Sequence, residues 1–451
     1  VAAPSTKTNP PRPIVVLSPM AAVEAPATAG GVLLARIVQS HRAAGSQVVV
    51  LTPSLRAALA ELERTSVLVP TRFLGRPRDR RGARRLLLTA VHRAVPVLLR
   101  VDDLLPWPPL VVDLLTDRAT RALLQRADVI DLQWEEYGRL APLLRLLAPR
   151  AALVCTFHDV SSQRLEREAL RADGGRAARS VRRAAARSRR TERRLGSILD
   201  QSFVLSGKDE KLLRAASPDA RIRVIDPPLV DEGTPVLDAS ERPPVVGFVS
   251  YLRRHENRDA ALRLAERIWP RVRGAVPGAR LLIVGGGVEE EPARRLTAVP
   301  GVELTGFVED LEDAYSQLRV TVSAIDRGAG VKFKVVESII RGIPTITTSV
   351  GAEGIDPGLL TAVSDDDDAL ADAAIRALRD DRVARSARDA ADRARGLYGI
   401  GRFDAAHQRA ITEAIEHRRR TRGARLRTGR LRAGRMPRVD GPHPTEGERL
   451  R

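Results

Sequence analysis

Short β-branched runs alternate along this chain with longer segments whose apolar residues recur three and four positions apart, the pattern of a parallel α/β protein. Residues 14–17 read as a first strand, 32–44 as an amphipathic helix stopped by Gly45, and 48–51 as a second strand. That is one βαβ unit with a right-handed connection. Its loop, residues 18–31, closes on Gly30-Gly31 at the carboxyl end of the first strand, where open α/β sheets bind ligands. Buried strands follow at 127–134 and 151–157, the second ending in His158-Asp159. Residues 164–194, rich in Ala and Arg and free of proline, predict one long basic helix. A strand at 200–204, a helix capped by Ser206 and a strand at 221–225 complete a first domain that ends near Asp226-Pro227-Pro228. Within the Arg- and Pro-rich region 70–109, residues 84–99 predict a basic helix.

After a linker at 232–244 the alternation resumes: strands at 245–250, 280–284, 302–308 and 320–324, and a helix at 257–274. The glycine run 285–287 lacks the G-x-G-x-x-G spacing and following acidic residue of a dinucleotide site, which argues against a dehydrogenase. Residues 359–363 read as a further short element. An acidic run at 365–368 then opens the first of two Ala-rich helices that end near Tyr398.

The densest chemistry lies at 327–354, which reads loop, helix, strand: Arg327, Gly328 and Gly330, a short apolar helix starting at Val331, then Gly342, Pro344 and a Thr-rich strand. A helix that follows glycines offers unpaired amides and a positive dipole end to an anion, and Lys332 and Lys334 add to that field. Glu337 lies six residues past Val331, about 9 Å along the axis at ~1.5 Å per residue, within reach of a ribose attached to a bound diphosphate. Spacing alone equally allows Lys334 and Glu337 to be an ordinary surface ion pair.

The ordered set Gly328, Gly330, Lys332, Lys334, Glu337, Gly342 and Pro344 resembles the donor-nucleotide segment of family 4 retaining glycosyltransferases of the GT-B fold. The resemblance spans roughly residues 14–416. It implies two Rossmann-like α/β domains facing a central cleft: an acceptor-side domain at 14–235, a nucleotide-sugar domain at 244–400, and a helix at 401–417 crossing back to the first domain. It implies donor-diphosphate contacts for Gly30 and Gly31, a role beside the anomeric carbon for His158, and nucleobase contacts for the backbone of Phe307 and Val308. Lys332 and Glu337 join His158 as catalytic candidates, and Arg253, Arg254, Arg327, Gly330, Val331 and Lys334 as donor-binding ones. Two features depart from the family. Tyr251 and Glu256 stand where many relatives carry a phosphate-binding Arg and Lys, and Ala329 where many carry a second glutamate.

Composition narrows the alternatives. The net charge of +19 is concentrated at 164–194 and in a tail at 418–451, where twelve Arg stand against three acidic residues and few large apolar ones. The tail reads as disordered, as does the Pro-rich 1–13. Aromatic residues make up 3% of the chain, which argues against nucleic-acid stacking platforms and leaves an anionic membrane surface or polyanionic acceptor as the basic regions' partner. One cysteine and no Cys/His cluster at zinc-ligand spacing predict neither disulfide nor metal, and no cofactor beyond a nucleoside-diphosphate sugar as substrate. With no apolar run long enough to span a bilayer and no signal-like core, the expected place is the cytoplasm, at the inner face of the membrane. The expected activity is metal-independent transfer of a sugar to a hydroxyl acceptor with retention. A sugar-nucleotide epimerase needs acid/base carboxylates that the sequence does not supply. The non-enzyme alternative is a basic docking protein on a transferase scaffold.

Overall fold

A computed structural model describes residues 13–26, 28–53, 65–75, 108–171, 174–230 and 233–433. The expected helix at 84–99, most of the segment 1–13 and the end of the tail lie outside these residues.

Two fully parallel sheets form the frame. The first contains β1 (Ile14–Leu17), β2 (Val48–Pro53), β3 (Thr71–Leu74), β4 (Val129–Gln133), β5 (Ala152–Phe157), β6 (Gln201–Val204) and β7 (Ile222–Val224), in the order β3-β2-β1-β4-β5-β6-β7. The second contains β8 (Val245–Val249), β9 (Arg280–Val284), β10 (Val302–Gly306), β11 (Val320–Ser323), β12 (Thr345–Thr347) and β13 (Ala362–Val363), in the order β10-β9-β8-β11-β12-β13. The central strands are buried and largely apolar because helices cover both faces of each sheet, while the edge strands β3, β7, β10 and β13 are partly exposed. On one face of the first sheet, Leu17, Leu132 and Leu153 pack with Leu110 and Leu144. On the other, Val16, Val50 and Val154 pack with Leu33 and Ile37 and with Phe403, Ala410 and Ile411 from the last helix. That helix therefore belongs to the first domain's core although it follows the second domain in sequence.

Strand order reverses at β1/β4 in one sheet and at β8/β11 in the other. Such switch points open crevices at the carboxyl ends of the strands. The loops there are the ones that carry the chemistry.

Four expectations need correction. The basic segment is not one helix but two, Ser161–Arg171 and Gly175–Ile198. Gly174 and Gly175 both take positive φ, which ends the first helix and lets the second fold back on it. The segment 257–274 is continuous but irregular. A π turn at Leu264–Ile268 separates His255–Arg263 from Trp269–Ala275, next to Pro270, whose missing N–H breaks the regular ladder. The crossing helix is longer than 401–417: it runs Ile400–Ala433, because Arg, Ala and Leu sustain it and no proline intervenes before Pro437. The expected disorder therefore does not begin at 418. Finally, Gly30-Gly31 do not close a loop. The first helix is Ala29–Ala43, with the Thr28 hydroxyl accepting from the Gly31 amide at 3.1 Å, so both glycines sit in its first turn.

Candidate active site

At the carboxyl end of β4, Trp134 takes φ 67°, a left-handed conformation uncommon for a bulky residue. It places the indole flat on His158, ring centroids 3.8 Å apart and planes 8° from parallel. The other edge of the indole lies against the first helix, so close that a Cβ on Gly30 would sit 2.6 Å from it. The sequence motif is thus used for close approach, and the sharp backbone turn at Trp134 is held by contacts on both sides. The His158 ring nitrogen Nε2 lies 3.3 Å from Gln133 Oε1. Burial holds its pKa down to about 3, so the imidazole is neutral.

The second domain presents its glycine loop to this histidine. Gly330 has φ 72°, and a Cβ there would stand 2.8 Å from the His158 carbonyl oxygen. Only glycine allows both the conformation and the approach. The loop is stiffened from within: Lys332 Nζ donates to the carbonyls of Ala329 at 3.2 Å and Gly330 at 2.7 Å. The helix begins two residues later than expected, at Phe333, with Lys332 as its N-cap, and runs to Ile340. Glu337 is consequently four residues into it, about 6 Å along the axis. Its carboxylate accepts from the buried Tyr315 hydroxyl at 3.1 Å.

Lys334 Nζ donates to the Asn257 side-chain oxygen at 2.6 Å. Among the described residues neither Lys332 nor Lys334 forms an ion pair; their recorded partners are neutral oxygens. Burial, then the charge of Lys332 and Arg254, pulls the Lys334 pKa down to about 7. Burial chiefly does the same to Lys332, down to about 8. Neither half-buried ammonium group is in direct contact with a carboxylate, although the charge of Glu353 reaches Lys332 and that of Glu256 and Glu337 reaches Lys334. The surface ion pair of Lys334 with Glu337 that spacing alone allows is not formed, since Lys334 turns to Asn257 and Glu337 to Tyr315.

The remaining candidates divide. Arg254 is turned toward Glu256, the residue that replaces a family cation, and Arg327 toward Asp259 and Asp326. Arg253 packs its Cβ near Gly287, and Val331 joins Phe333 at the edge of the first domain's core. Phe307 is 74% exposed beside Gly286, while Val308 packs partly buried against Leu318 and its neighbours.

Several residues of the arrangement escape sequence reasoning. Glu353 is gripped from the first domain by Arg167 and by Lys208 Nζ at 3.1 Å, and Arg167 also donates to the Gly328 carbonyl at 2.8 Å. Buried Glu135 follows Trp134. Desolvation and then Glu192 push its pKa up to about 7. His41, Asp131 and His407 come together fully buried, with one donor atom from each all within 4.8 Å of one another. No local spacing announces that group, since its members lie on three separate elements.

Comparison with known proteins completes the picture. Residues 243–380 match the family model described as glycosyl transferases group 1. No curated protein sequence matches the chain. Among solved structures it is similar to sucrose-phosphate synthase from Thermosynechococcus elongatus, with 17% identity over 90% of this chain and 99% of that one, and a TM-score of 0.64. It is also similar to Anabaena HepE in complex with UDP and glucose, with 15% identity, 89% and 99% coverage and a TM-score of 0.59. A third is a mutant of S. aureus TarM in complex with Fondaparinux, alpha-GlcNAc-glycerol and UDP, with 9% identity, 89% and 99% coverage and a TM-score of 0.58. The second domain therefore carries the group 1 glycosyl transferase pattern, and the chain as a whole has the GT-B fold.

Proposed function

We propose that the protein is a glycosyltransferase that moves a sugar from a nucleoside-diphosphate sugar to a hydroxyl acceptor with retention of anomeric configuration. The observation that carries this reading is the pair Lys332 and Lys334, half-buried at a helix N-terminus, bonded only to neutral oxygens among the described residues and beside a glycine loop that meets His158. A diphosphate supplies the missing charge. As the sugar departs, negative charge grows on that diphosphate, and fixed donors aimed at it contribute roughly 2.7 to 4 kcal/mol each in the transition state. Here they are the two ammonium groups and the first amides of the Phe333–Ile340 helix, with no step assigned to a metal. Glu337, oriented by Tyr315, takes the ribose hydroxyls. Neutral His158 meets the sugar beside the reacting carbon. On the same face, the leaving phosphate accepts the proton of the incoming hydroxyl. The UDP complexes of HepE and TarM support a nucleotide donor of this class.

Isothermal titration with UDP, GDP, TDP and ADP and their sugars tests the reading. One of them binds the wild type and is lost in Glu337→Ala; absence of binding by all of them overturns it.

A second reading concerns location. Along Gly175–Ile198, Ala178, Ala185, Ser188 and Leu195 face inward while Arg176, Arg179, Arg182, Arg183, Arg190 and Arg193 are exposed. We infer that this face docks on anionic lipid, at roughly 1 kcal/mol per basic residue near the surface. Among the described residues no helix is long and apolar enough to cross a membrane. Cosedimentation with phosphatidylserine vesicles checks the inference: replacing Arg179, Arg182, Arg183 and Arg190 by Gln abolishes binding, and unchanged binding refutes it.

A further inference from the structure

Behind His158 a line of buried polar groups runs through the first domain to the crossing helix. Gln133 Nε2 donates to Asp131 Oδ1 at 2.8 Å and lies 3.3 Å from the Thr156 hydroxyl. The other Asp131 oxygen, Oδ2, lies 3.2 Å from His41 Nε2. His41 Nδ1 lies 3.4 Å from Gln408 Nε2, which also donates to the Ser40 hydroxyl at 3.0 Å, and Ser40 lies 3.4 Å from His407 Nδ1. Asp131, Gln133, His41, Ser40 and His407 are all buried.

The chemistry of each group fixes the direction of the next bond. The Gln133 NH₂ is the group that donates to Asp131, so its carbonyl oxygen faces His158. A carbonyl oxygen only accepts, so the His158 nitrogen beside it carries the proton. Likewise the amide N–H of Gln408 points at His41 Nδ1, which leaves the His41 proton on Nε2, toward Asp131.

We propose that Gln133 is a positioning residue that locks His158 in the Nε2–H tautomer, and that its own orientation is set by Asp131 through a relay anchored on the crossing helix. The unprotonated Nδ1 is then the only acceptor that the imidazole offers to a sugar hydroxyl. His158 keeps one fixed donor and acceptor pattern because burial keeps it uncharged. The crossing helix, which follows the second domain in sequence, thereby contributes Gln408 to the geometry of a histidine in the first domain. The three donor atoms of His41, Asp131 and His407 also lie close enough to hold a metal ion. The relay assigns His41 Nε2 a proton in place of a metal bond.

The inference rests on the proposed donor site only for its kinetic consequence, so the tautomer is measured on the free full-length protein. Long-range ¹H–¹⁵N spectra of the imidazoles, with His158 assigned by the signal lost in His158→Asn, show Nε2–H in the wild type. Gln133→Leu converts this to a mixture of tautomers. Asp131→Asn does the same, although Asp131 is bonded to Gln133 and not to His158. In Gln133→Leu, kcat falls about tenfold, the worth of one neutral hydrogen bond, while KM for the donor is unchanged. An Nδ1–H signal in the wild type overturns the relay whether or not either variant folds, as does an unchanged tautomer in both variants. A change of the His41 or His158 signals on treatment with a chelator assigns the buried cluster to a metal and overturns it too. A correct tautomer in a protein that binds no sugar nucleotide leaves the relay standing and removes the donor reading.

Discussion

Replacing Lys334 by methionine separates what this side chain costs the fold from what it gives the site. Its pKa in the folded protein is about 7, against 10.5 for the free side chain, with burial the first cause and the neighbouring cations Lys332 and Arg254 next. Because the folded value is the lower one, holding the ammonium in the fold is unfavourable at every pH below about 7, and the penalty fades as pH rises from there to 10.5. At pH 7, where the folded side chain is half ionised, the difference corresponds to about 4 kcal/mol. Methionine also forfeits the hydrogen bond to Asn257 and leaves that oxygen without its partner, a loss of roughly 2 kcal/mol for an unsatisfied acceptor, the charged part of the contact being already contained in the folded pKa. The balance is a gain of about 2 kcal/mol at pH 7, a rise of roughly 4 to 8 °C in Tm for a domain of this size. At pH 10 the gain vanishes and the lost hydrogen bond leaves the variant less stable than the wild type. The same substitution weakens the nucleoside diphosphate that binds the wild type by about 10- to 100-fold, the worth of one charge-assisted contact. Scanning fluorimetry at pH 7 and pH 10, with titration calorimetry on both proteins, checks each part. Destabilisation of equal size at both pH values refutes the argument, and so does a variant that binds the diphosphate as tightly as the wild type.

Three further outcomes follow from the same geometry. Donor affinity falls as pH rises from 7 to 9, because the anion needs Lys332 and Lys334 charged and their pKa values lie near 8 and 7; calorimetry showing tighter binding at pH 9 contradicts this. Gly30→Ala drives a Cβ into the indole of Trp134 and separates it from His158, expected as an altered tryptophan emission and an activity loss of at least tenfold, about 1.4 kcal/mol of misplacement. Glu135→Gln raises stability at pH 8 more than at pH 5, since its folded pKa of about 7 exceeds the usual 4.5 and the ionised form is the disfavoured one; equal Tm shifts at the two pH values argue against a buried neutral carboxyl.

The alternating pattern made both parallel sheets legible because their central strands are buried on two faces and read as largely apolar runs. The donor segment was legible for a different reason: Gly328, Gly330, Lys332, Lys334 and Glu337 are neighbours in sequence as well as in space. What stayed hidden was set by contacts between distant segments. Gln133, Asp131, His41 and Gln408 look like ordinary strand and helix residues until three elements converge. Gly30-Gly31 suggested a loop, yet the Thr28 cap starts the helix earlier and one glycine serves the indole. The break at Gly174–Gly175 was present in the sequence, but helix propensity summed over the surrounding Ala and Arg outweighed it.

Glu353 forms its ion pairs with Arg167 and Lys208 of the opposite half of the molecule, and Arg167 reaches across as well to the carbonyl of Gly328. Any separation of the halves therefore breaks these ion pairs. Dissolved salt competes for the same charges, so rising ionic strength loosens the contact between the two halves.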